Sequence, residues 1–533
     1  MPWPPEFSRR YRAEGYWQGD SLGELLRSWS RRSGDKIALV SGANQIDYAE
    51  LDRQADAMAA GLLALGIGAG NRVVVQLPNT VEFVVVLFAL LRCGAVPVLA
   101  LPAHRRLEIE HLVELSEAVG YVIPDTFGGF DYRVLAQQVQ AATSSLRHVL
   151  VAGDPGAFTT LAEVPGAVDA AHPRSLPPVD PASVAVLLIS GGTTGKPKLI
   201  PRTHDDYAYN ARASAEVCGL TADAVYLVCL PAAHNFPLAC PGILGTFGVG
   251  GTVVMSPVPS AEVAFELIER EMVTITALVP PLVRLWIDAI GWETRDLSSL
   301  RLLQVGGAKL DAALAGQVRP RLGCQLQQVF GMAEGLLNYT RLDDPDELVM
   351  TTQGRPMSPA DEVRIVDREG ADVEDGEVGE LWTRGPYTLR GYYHVPEYNA
   401  TAFTIDGFYR TGDLVLQLPS GHLVVQGRVK DVINRGGENV SATEVEEHLL
   451  AHPAVAQAAV VALPDERLGE LVCAVIVVSG RRPKLKELKA FLTDHGLATY
   501  KLPDKLALVE QLPLTAAGKI SKRALIEQLR DSS

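Results

Sequence analysis

Short apolar runs and longer amphipathic stretches alternate along most of this chain. After an entry segment, Leu22–Arg32 carries helical spacing. A second helical pattern opens in Ile46-Asp-Tyr-Ala-Glu-Leu-Asp52 and runs to Leu65, where Gly66 stops it. Arg72–Leu77 reads as a strand, Val81–Leu91 as a buried helix ended at Gly94, and Val96–Leu99 as the next strand. A further helix, Glu108–Ala118, leads into the apolar segment at Tyr121. This alternation predicts an α/β fold with layered, largely parallel sheet. A polar, Pro-rich connection, His172–Asp180, then precedes Val184–Ile189, a short apolar run with the look of a buried strand.

The second half continues the rhythm. Tyr207–Cys218 reads as a helix, and Val225–Leu230, Thr252–Met255 and Ile275–Val279 as strands with helices between. Leu302–Val305 runs into Gly306-Gly307-Ala308-Lys309, and Gln327–Phe330 ends at Gly331. Strand ends followed by glycine are where ligands sit in open α/β sheets. From 363 to 425 the strand–turn pattern predicts a β-rich subdomain. Gly427–Lys430 marks a domain boundary, dividing a core of residues 1–428 from a small α+β domain of 429–533 with its own apolar periodicity. In that domain Ala442–Ala451, Lys484–His495 and Ser521–Leu529 read as helices, and Val455–Ala462, Leu471–Val478 and Leu506–Val509 as strands.

Candidate chemistry enters at Ser190-Gly-Gly-Thr-Thr-Gly-Lys-Pro-Lys198. Hydroxyls at Ser190, Thr193 and Thr194, glycines at Gly191, Gly192 and Gly195, and the charges of Lys196 and Lys198 crowd into one loop after a buried strand. Glycines let backbone N–H groups approach phosphate oxygens, hydroxyls donate, and lysines supply charge, so the loop suits a polyphosphate. A flexible linker of the same composition is the plain alternative. It is not a Walker A loop, because Ser190 stands where that pattern begins with Gly, and Pro197 replaces the Ser/Thr that ligates magnesium.

Ser190–Lys198 resembles the signature loop of the adenylate-forming superfamily, which comprises acyl-CoA synthetases, luciferases and the adenylation domains of peptide synthetases. The other stretches of that superfamily follow in order: Phe330-Gly-Met-Ala-Glu334, Tyr409-Arg-Thr-Gly-Asp413, Gly427-Arg-Val-Lys430 and Pro513-Leu-Thr-Ala-Ala-Gly-Lys519. The resemblance covers nearly all 533 residues. It implies the adenylate-forming enzyme fold, with a large N-terminal α/β domain, layered sheets, a β-rich subdomain and a small mobile C-terminal domain. It also implies a two-step reaction: a carboxylate attacks the α-phosphate of Mg²⁺·ATP, and a thiol then attacks the acyl-adenylate.

The resemblance also implies roles. Lys519 takes the contact to the carboxylate and α-phosphate, although alone it would read as a solvated lysine near a C-terminus. Glu334 takes Mg²⁺, although alone it would read as a helix N-terminal glutamate. Asp413 and Arg428 take the ribose. Gly307, Val329, Phe330, Gly331, Met332 and Val425 join the nucleotide-binding set, with Gly307 and Ala308 leaving room for a flat ring and Phe330 or Val329 near the adenine. Lys430 is the hinge about which the small domain turns, withdrawing Lys519 and bringing Gly436 and Gly437 to a pantetheine arm.

Within the superfamily, Pro231–Pro241 and Gly331–Thr340 resemble the stand-alone aryl-acid adenylating enzymes of siderophore pathways. Amino-acid-activating domains usually carry Asp where this chain has Asn235, and a neutral amide offers no counter-charge to an α-ammonium. It does suit a phenolic hydroxyl. His234, Asn235, Phe236, Cys240, Gly306, Ala308, Ala333 and Leu337 are the implied acid-binding set, with His234 also in the catalytic set. Unaided, His234-Asn235 reads as a capped turn with a core histidine on Phe236. Dihydroxybenzoate enzymes resemble one another in having Ser at the position of Cys240 and Val at that of Leu337, so the substitutions here favour salicylate. The acceptor thiol is expected in trans, on an aryl carrier protein or coenzyme A. Alternatives are a 2,3-dihydroxybenzoate–AMP ligase, a salicylyl-CoA ligase, or, in another class, a non-catalytic protein that binds AMP or an aryl acid.

Composition narrows the partners. Net charge is −15 with no basic block, which argues against a nucleic-acid surface. The N-terminus has no basic-then-apolar leader pattern, and the most apolar early segment, Phe83–Leu91, falls short of a membrane span. Six cysteines without CxxC spacing suggest neither zinc nor disulfides. A reduced, ATP-supplied cytoplasm is the expected location.

Overall fold

The computed structural model describes residues 3–167, 176–190, 197–435, 438–465, 467–495, 497–515 and 518–531. They pack as two units. One holds the chain up to 362 together with 384–409, and the other holds 363–383 and the chain from 410 onward.

The first unit is a layered α/β structure with two large sheets. The nine-stranded sheet runs Arg355–Pro356, Gly335–Tyr339, Gln325–Met332, Leu302–Gly306, Ile275–Leu278, Val225–Val228, Thr252–Met255, Ile37–Ser41, Asn44–Asp47. Pairings from Gln325–Met332 across to Ile37–Ser41 are parallel, and both margins are antiparallel. The seven-stranded sheet runs Leu199–Thr203, Val184–Ile189, Val96–Leu99, Arg72–Val75, Gly120–Pro124, His148–Ala152, Thr159–Thr160. Parallel strands covered on both faces need continuous apolar runs, and Leu302–Gly306 and Gly120–Pro124 are buried at every position.

Helix Val81–Cys93 explains its own composition. It touches strand Val96–Leu99 of one sheet and Ile37–Ser41 of the other, so from Phe83 onward every residue is buried. Arg92 is the exception in kind. Its buried guanidinium pairs with Asp52 and Asp56 and donates to the Gly23 carbonyl.

Three local outcomes differ from expectation. Asn44–Asp47 is a strand rather than the start of a helix. Asp47 ends it and caps the helix Tyr48–Ala64 by accepting from Glu50 N–H at 2.7 Å. A strand nothing in the pattern announced, Leu199–Thr203, returns antiparallel to Val184–Ile189. Finally, Gln325–Met332 does not stop at Gly331. It runs through it and folds back as Gly335–Tyr339, so Glu334 lies in a hairpin and not at a helix start. Gly335 is required there: φ is +124°, and a Cβ would lie 2.4 Å from Thr388 Cα.

The second unit is β-rich at its start and α+β after it. A four-stranded sheet orders Glu362–Val366, Gly379–Arg384, Tyr409–Gln417 and Leu423–Arg428. Beyond it, Glu438–Ser441, Val432–Arg435, Gly469–Val478 and Val455–Asp465 form a second sheet, with Lys505–Val509 parallel to Gly469–Val478. Helices Ala442–Leu450 and Leu485–Asp494 bury Val445, Leu449, Leu488 and Leu492 against Val460, Val472 and Ile476. Among the described residues no helix is long and apolar enough to cross a membrane.

Candidate active site

The base of the glycine-rich loop is fixed by backbone pairing. Ile189 opposes Leu199, Ser190 N–H donates to the Lys198 carbonyl at 2.9 Å, and Lys198 N–H donates to Ser190 Oγ at 3.0 Å. The hydroxyl of Ser190 therefore ties the two ends of the loop together. Gly191, Gly192, Thr193, Thr194, Gly195 and Lys196 lie outside the described residues. Lys198 Nζ sits 4.0 Å from the Tyr398 ring centroid and 5.8 Å from that of Tyr392. Tyr392 donates to Glu334 Oε1 at 2.8 Å and shares a hydrogen bond of 2.8 Å with Tyr409 Oη. Burial and the Glu334 charge push the Tyr392 phenol far above its ordinary range, so it is a permanent donor here. The loop lysine and the hairpin carboxylate thus share one aromatic platform.

A second group surrounds Pro231–Pro241. His234 is the N-cap of the short helix Asn235–Ala239, its Nδ1 accepting from Phe236 N–H at 3.2 Å. The capped turn expected from the residues alone is therefore real. Because Nδ1 accepts, the neutral ring carries its proton on Nε2. Asn235 is buried. Its Oδ1 accepts from Tyr207 Oη at 2.9 Å, and its Nδ2 donates to Cys240 Sγ at 3.4 Å. Burial pushes the Cys240 thiol up to about 12, so it stays protonated. A Cβ on Gly306 would lie 2.7 Å from the Val329 carbonyl and 3.1 Å from Phe236 Cε1, and one on Gly331 would lie 2.3 Å from Leu337 Cδ2. Gly306 thus leaves room for the Phe236 ring beside the Val329 carbonyl, and Gly331 lets the Leu337 side chain lie against its backbone. Gly307 follows with φ +83° at the strand end, leading into Ala308.

Sequence reasoning missed the residues that hold this group in place. They lie on or just before helix His204–Val217. Tyr207 fixes Asn235, and Asn210 donates to the Ala239 carbonyl at 2.7 Å. Arg202, fully buried, binds Asp206 at 2.7 Å, the Ala333 carbonyl at 3.1 Å and Asn210 Oδ1 at 3.3 Å. Burial raises the Asp206 carboxyl, and the Arg202 charge works against that shift. The signal was available: Asp206, Asn210 and Ser214 recur every four residues, a polar stripe on one side of a helix, and Arg202 precedes it at the same spacing. Phe330 and Met332 lie on the strand between, where the Phe330 carbonyl accepts from Asn338 Nδ2 at 3.0 Å.

The second unit gathers the rest. Asp413 and Arg428 are register partners on neighbouring strands and pair at 2.8 Å, with Asp413 only 5% exposed. Burial raises the Asp413 carboxyl, while the charges of Arg428, Lys519 and Lys430 pull it down. Val425 stands opposite Val415 on the same strand pair. Lys519 closes a tight turn: its carbonyl accepts from Thr515 N–H at 2.6 Å, its N–H donates to Thr515 Oγ1 at 3.1 Å, and Leu514 bridges Ile520. Lys430 occupies the one-turn helix Val429–Asp431. Gly436 and Gly437 lie outside the described residues.

The AMP-binding enzyme family matches residues 26–393, and its C-terminal domain family matches 444–519. The chain is 55% identical over 530 residues to a 2,3-dihydroxybenzoate-AMP ligase of Bacillus subtilis, covering 99% of this chain and 97% of that one. It is 52% identical over 534 residues to a salicyl-AMP ligase / salicyl-S-ArCP synthetase of Mycobacterium tuberculosis, covering 99% and 94%. Among solved structures, the apo structure of Mycobacterium smegmatis MbtA aligns with a TM-score of 0.77 and 54% identity, over 99% of this chain and 98% of that one. With both family matches in order along the chain and relatives above half identity over its length, this protein belongs to the AMP-binding enzymes of the adenylate-forming superfamily.

Proposed function

We propose that this adenylating enzyme activates an aryl acid, salicylate in preference to 2,3-dihydroxybenzoate, and passes it to a phosphopantetheine thiol on an aryl carrier protein in siderophore-type biosynthesis. The observation that carries this reading is the Tyr207–Asn235–Cys240 contact. Tyr207 donates to the amide oxygen, so Nδ2 faces the other way, with one N–H on Cys240 and one remaining for a phenolic oxygen. Neither group is charged, so an amino acid's α-ammonium gains no counter-ion there. A second ring hydroxyl next to Cys240 and Leu337 meets a weakly polar thiol and an alkyl group, at a cost of about 1–3 kcal/mol. Relatives described as salicyl-AMP ligase and as 2,3-dihydroxybenzoate-AMP ligase support the substrate class, and "salicyl-S-ArCP synthetase" supports the carrier thiol.

The main obstacle in the first step is charge, because a carboxylate must approach the α-phosphorus of a polyanion. In this reading Lys198 and the glycine-rich loop hold the β- and γ-phosphates. Asp413 accepts from the ribose hydroxyls, assisted by Arg428, and Gly307, Val329, Phe330, Gly331, Met332 and Val425 belong to the nucleotide-binding set. Lys519 bridges the acid carboxylate and the α-phosphate, neutralising charge that builds as the C–O–P bond forms and pyrophosphate leaves. His234 donates through Nε2 towards the acid carboxylate. Glu334 fits a magnesium ion held mainly by phosphates: Oε1 accepts from Tyr392, and among the described residues Oε2 takes no partner. Such sites use one or two carboxylates plus substrate oxygens, and bound Mg²⁺ supplies charge neutralisation on the leaving pyrophosphate. In the second step, the part of the chain after Lys430 turns and presents Gly436 and Gly437 to the pantetheine arm, with residues 1–428 and 429–533 as the moving parts.

ATP–pyrophosphate exchange with salicylate, 2,3-dihydroxybenzoate and benzoate tests this directly. We expect kcat/KM for salicylate to exceed that for 2,3-dihydroxybenzoate by about ten- to a hundredfold. The double variant Cys240→Ser/Leu337→Val should reverse most of that margin. Exchange with none of the three acids, in folded protein that binds ATP, would overturn the substrate class.

A further inference from the structure

A half-buried aspartate, with one carboxylate oxygen fully covered and no counter-charge among the described residues, lies two hydrogen bonds away from Leu337. The Leu337 backbone N–H donates to Tyr387 Oη at 3.0 Å. That hydroxyl donates to Asp361 Oδ2 at 2.6 Å, which also accepts from Ser358 N–H at 3.1 Å. Ser358 Oγ accepts from Tyr209 Oη at 2.6 Å, and Tyr209 belongs to the helix that carries Tyr207 to Asn235. Tyr387 is fully buried. Asp361 Oδ1 is buried and has no partner among the described residues. Only glycine fits beside it, since a Cβ on Gly385 would lie 2.3 Å from that oxygen.

The polar groups facing Asp361 are the Tyr387 and Tyr209 hydroxyls and the Ser358 N–H, and among the described residues no Lys, Arg or His offsets its charge. Burial, only partly countered by Tyr387 and Ser358, pushes the carboxyl up to about 7. Holding a turn does not require such a group. Burying its charge and leaving one oxygen bare both cost stability. What the carboxylate does add is direction. A tyrosine hydroxyl has one proton; given to Asp361, it leaves the phenolic lone pairs for Leu337 N–H.

We propose that Tyr387 and Asp361 are positioning residues for the acid-binding site, fixing the Leu337 backbone so that its side chain stands against Gly331 and sets the width of the pocket at the ring. The inference rests on the aryl-acid reading of that pocket. With Asp361 ionised, the hydrogen bonds run one way, from Leu337 through Tyr387 to the carboxylate. With Asp361 protonated on Oδ2, its O–H donates to the phenolic oxygen, so the Tyr387 proton loses its acceptor and turns towards Leu337 N–H, and the wall is released. Affinity for the acid then falls as pH drops through the range where Asp361 takes up its proton.

The test is ATP–pyrophosphate exchange with salicylate between about pH 6 and 8, a range in which the acid itself does not change charge, using wild type, Asp361→Asn and Tyr387→Phe. In wild type, KM should rise about three- to tenfold towards the acid end with kcat nearly constant. Asp361→Asn should flatten that profile. Tyr387→Phe should raise KM about tenfold at neutral pH and narrow the preference for salicylate over 2,3-dihydroxybenzoate. A flat wild-type KM overturns the proposal without any variant. So does a wild-type profile that persists in Asp361→Asn, or variants that lose thermal stability while keeping KM, profile and preference. No exchange by wild type with any aryl acid overturns the reading of the pocket and this inference with it, whereas exchange with a flat KM overturns this inference alone.

Discussion

Lys519 shows how little freedom a transferring charge needs from its own backbone. Thr515 holds its carbonyl and its N–H, and Gly518 takes φ +77° so that the turn can close before it. Its side-chain charge lowers the Asp413 carboxyl, as that of Arg428 does. Lys519→Ala therefore removes a cation without loosening the turn. Adenylation should fall by about a hundred- to a thousandfold, while ATP binding stays measurable by calorimetry. Full adenylation by that variant would refute the role. Asp361 makes a prediction of the opposite kind, about stability. Its carboxyl is raised to about 7 in the folded chain, above the ordinary carboxylate range of the unfolded one. The unfolded chain thus ionises first, and stability declines as pH rises from that range through about 7, then levels off. Asp361→Asn, which mimics the protonated acid, should raise Tm at pH 8 and lose that advantage near pH 4. A constant Tm difference across the range would contradict this.

Helix His204–Val217 is the element that turns sequence into a site. Its polar side presents Asp206, Tyr207, Asn210 and Ser214 to buried partners, and Arg202 just before it reaches the Ala333 carbonyl. Arg202→Met leaves Asp206 buried without its partner and should cost about 3–5 kcal/mol in urea unfolding. Arg202→Met/Asp206→Leu should recover part of the loss, because both charges leave the interior together. A neutral single variant would show that the pair carries no net load. The same helix marks where reading the chain stopped short. Strands such as Thr252–Met255 were legible because parallel sheet demands unbroken apolar runs. The strand Leu199–Thr203 was not, because Pro201, Arg202 and Thr203 carry no apolar rhythm, and its place depends on pairing with Val184–Ile189 across the glycine-rich loop. Glu334 was legible as a motif residue but not as a hairpin residue, since Gly335 acts through space against Thr388, which no local pattern encodes. Asn235 and Cys240 could be named from the chain, but Tyr207 and Tyr387, which hydrogen-bond Asn235 and the Leu337 backbone from tens of residues away, could not.

At the scale of the whole molecule, the question is what Lys430 permits. Asp413, Arg428, Lys430 and Lys519 belong to one unit, and the three cations all act on the Asp413 carboxylate. A turn about Lys430 would carry Lys519 away from Asp413 while leaving Arg428 on it, because the Asp413–Arg428 pair is built into adjacent strands before the hinge. In the proposed reaction, adenylation would need Lys519 present, and attack by a bulky thiol arm on the adenylate would need that space cleared. The backbone around Lys430 is suited to such a turn. It is a single helical turn, Val429–Asp431, between two strands, and past it Asp431 faces Lys522 at 4.0 Å, which itself pairs with Glu446 at 2.8 Å. In the proposed rotation these ion pairs, which follow Lys430 in the chain, would travel with the moving part. Lys430→Pro fixes φ near the value proline allows and restricts Val429 as well, so one backbone state persists where two are needed. Pyrophosphate exchange by that variant should stay within about threefold of wild type, while transfer of the aryl group to the carrier thiol should slow by more than about tenfold. Losing both half-reactions equally would mean that Lys430 serves the nucleotide site through its charge and that the chain bends elsewhere. Lys430→Ala separates the two cases, since it removes the charge and keeps the backbone free.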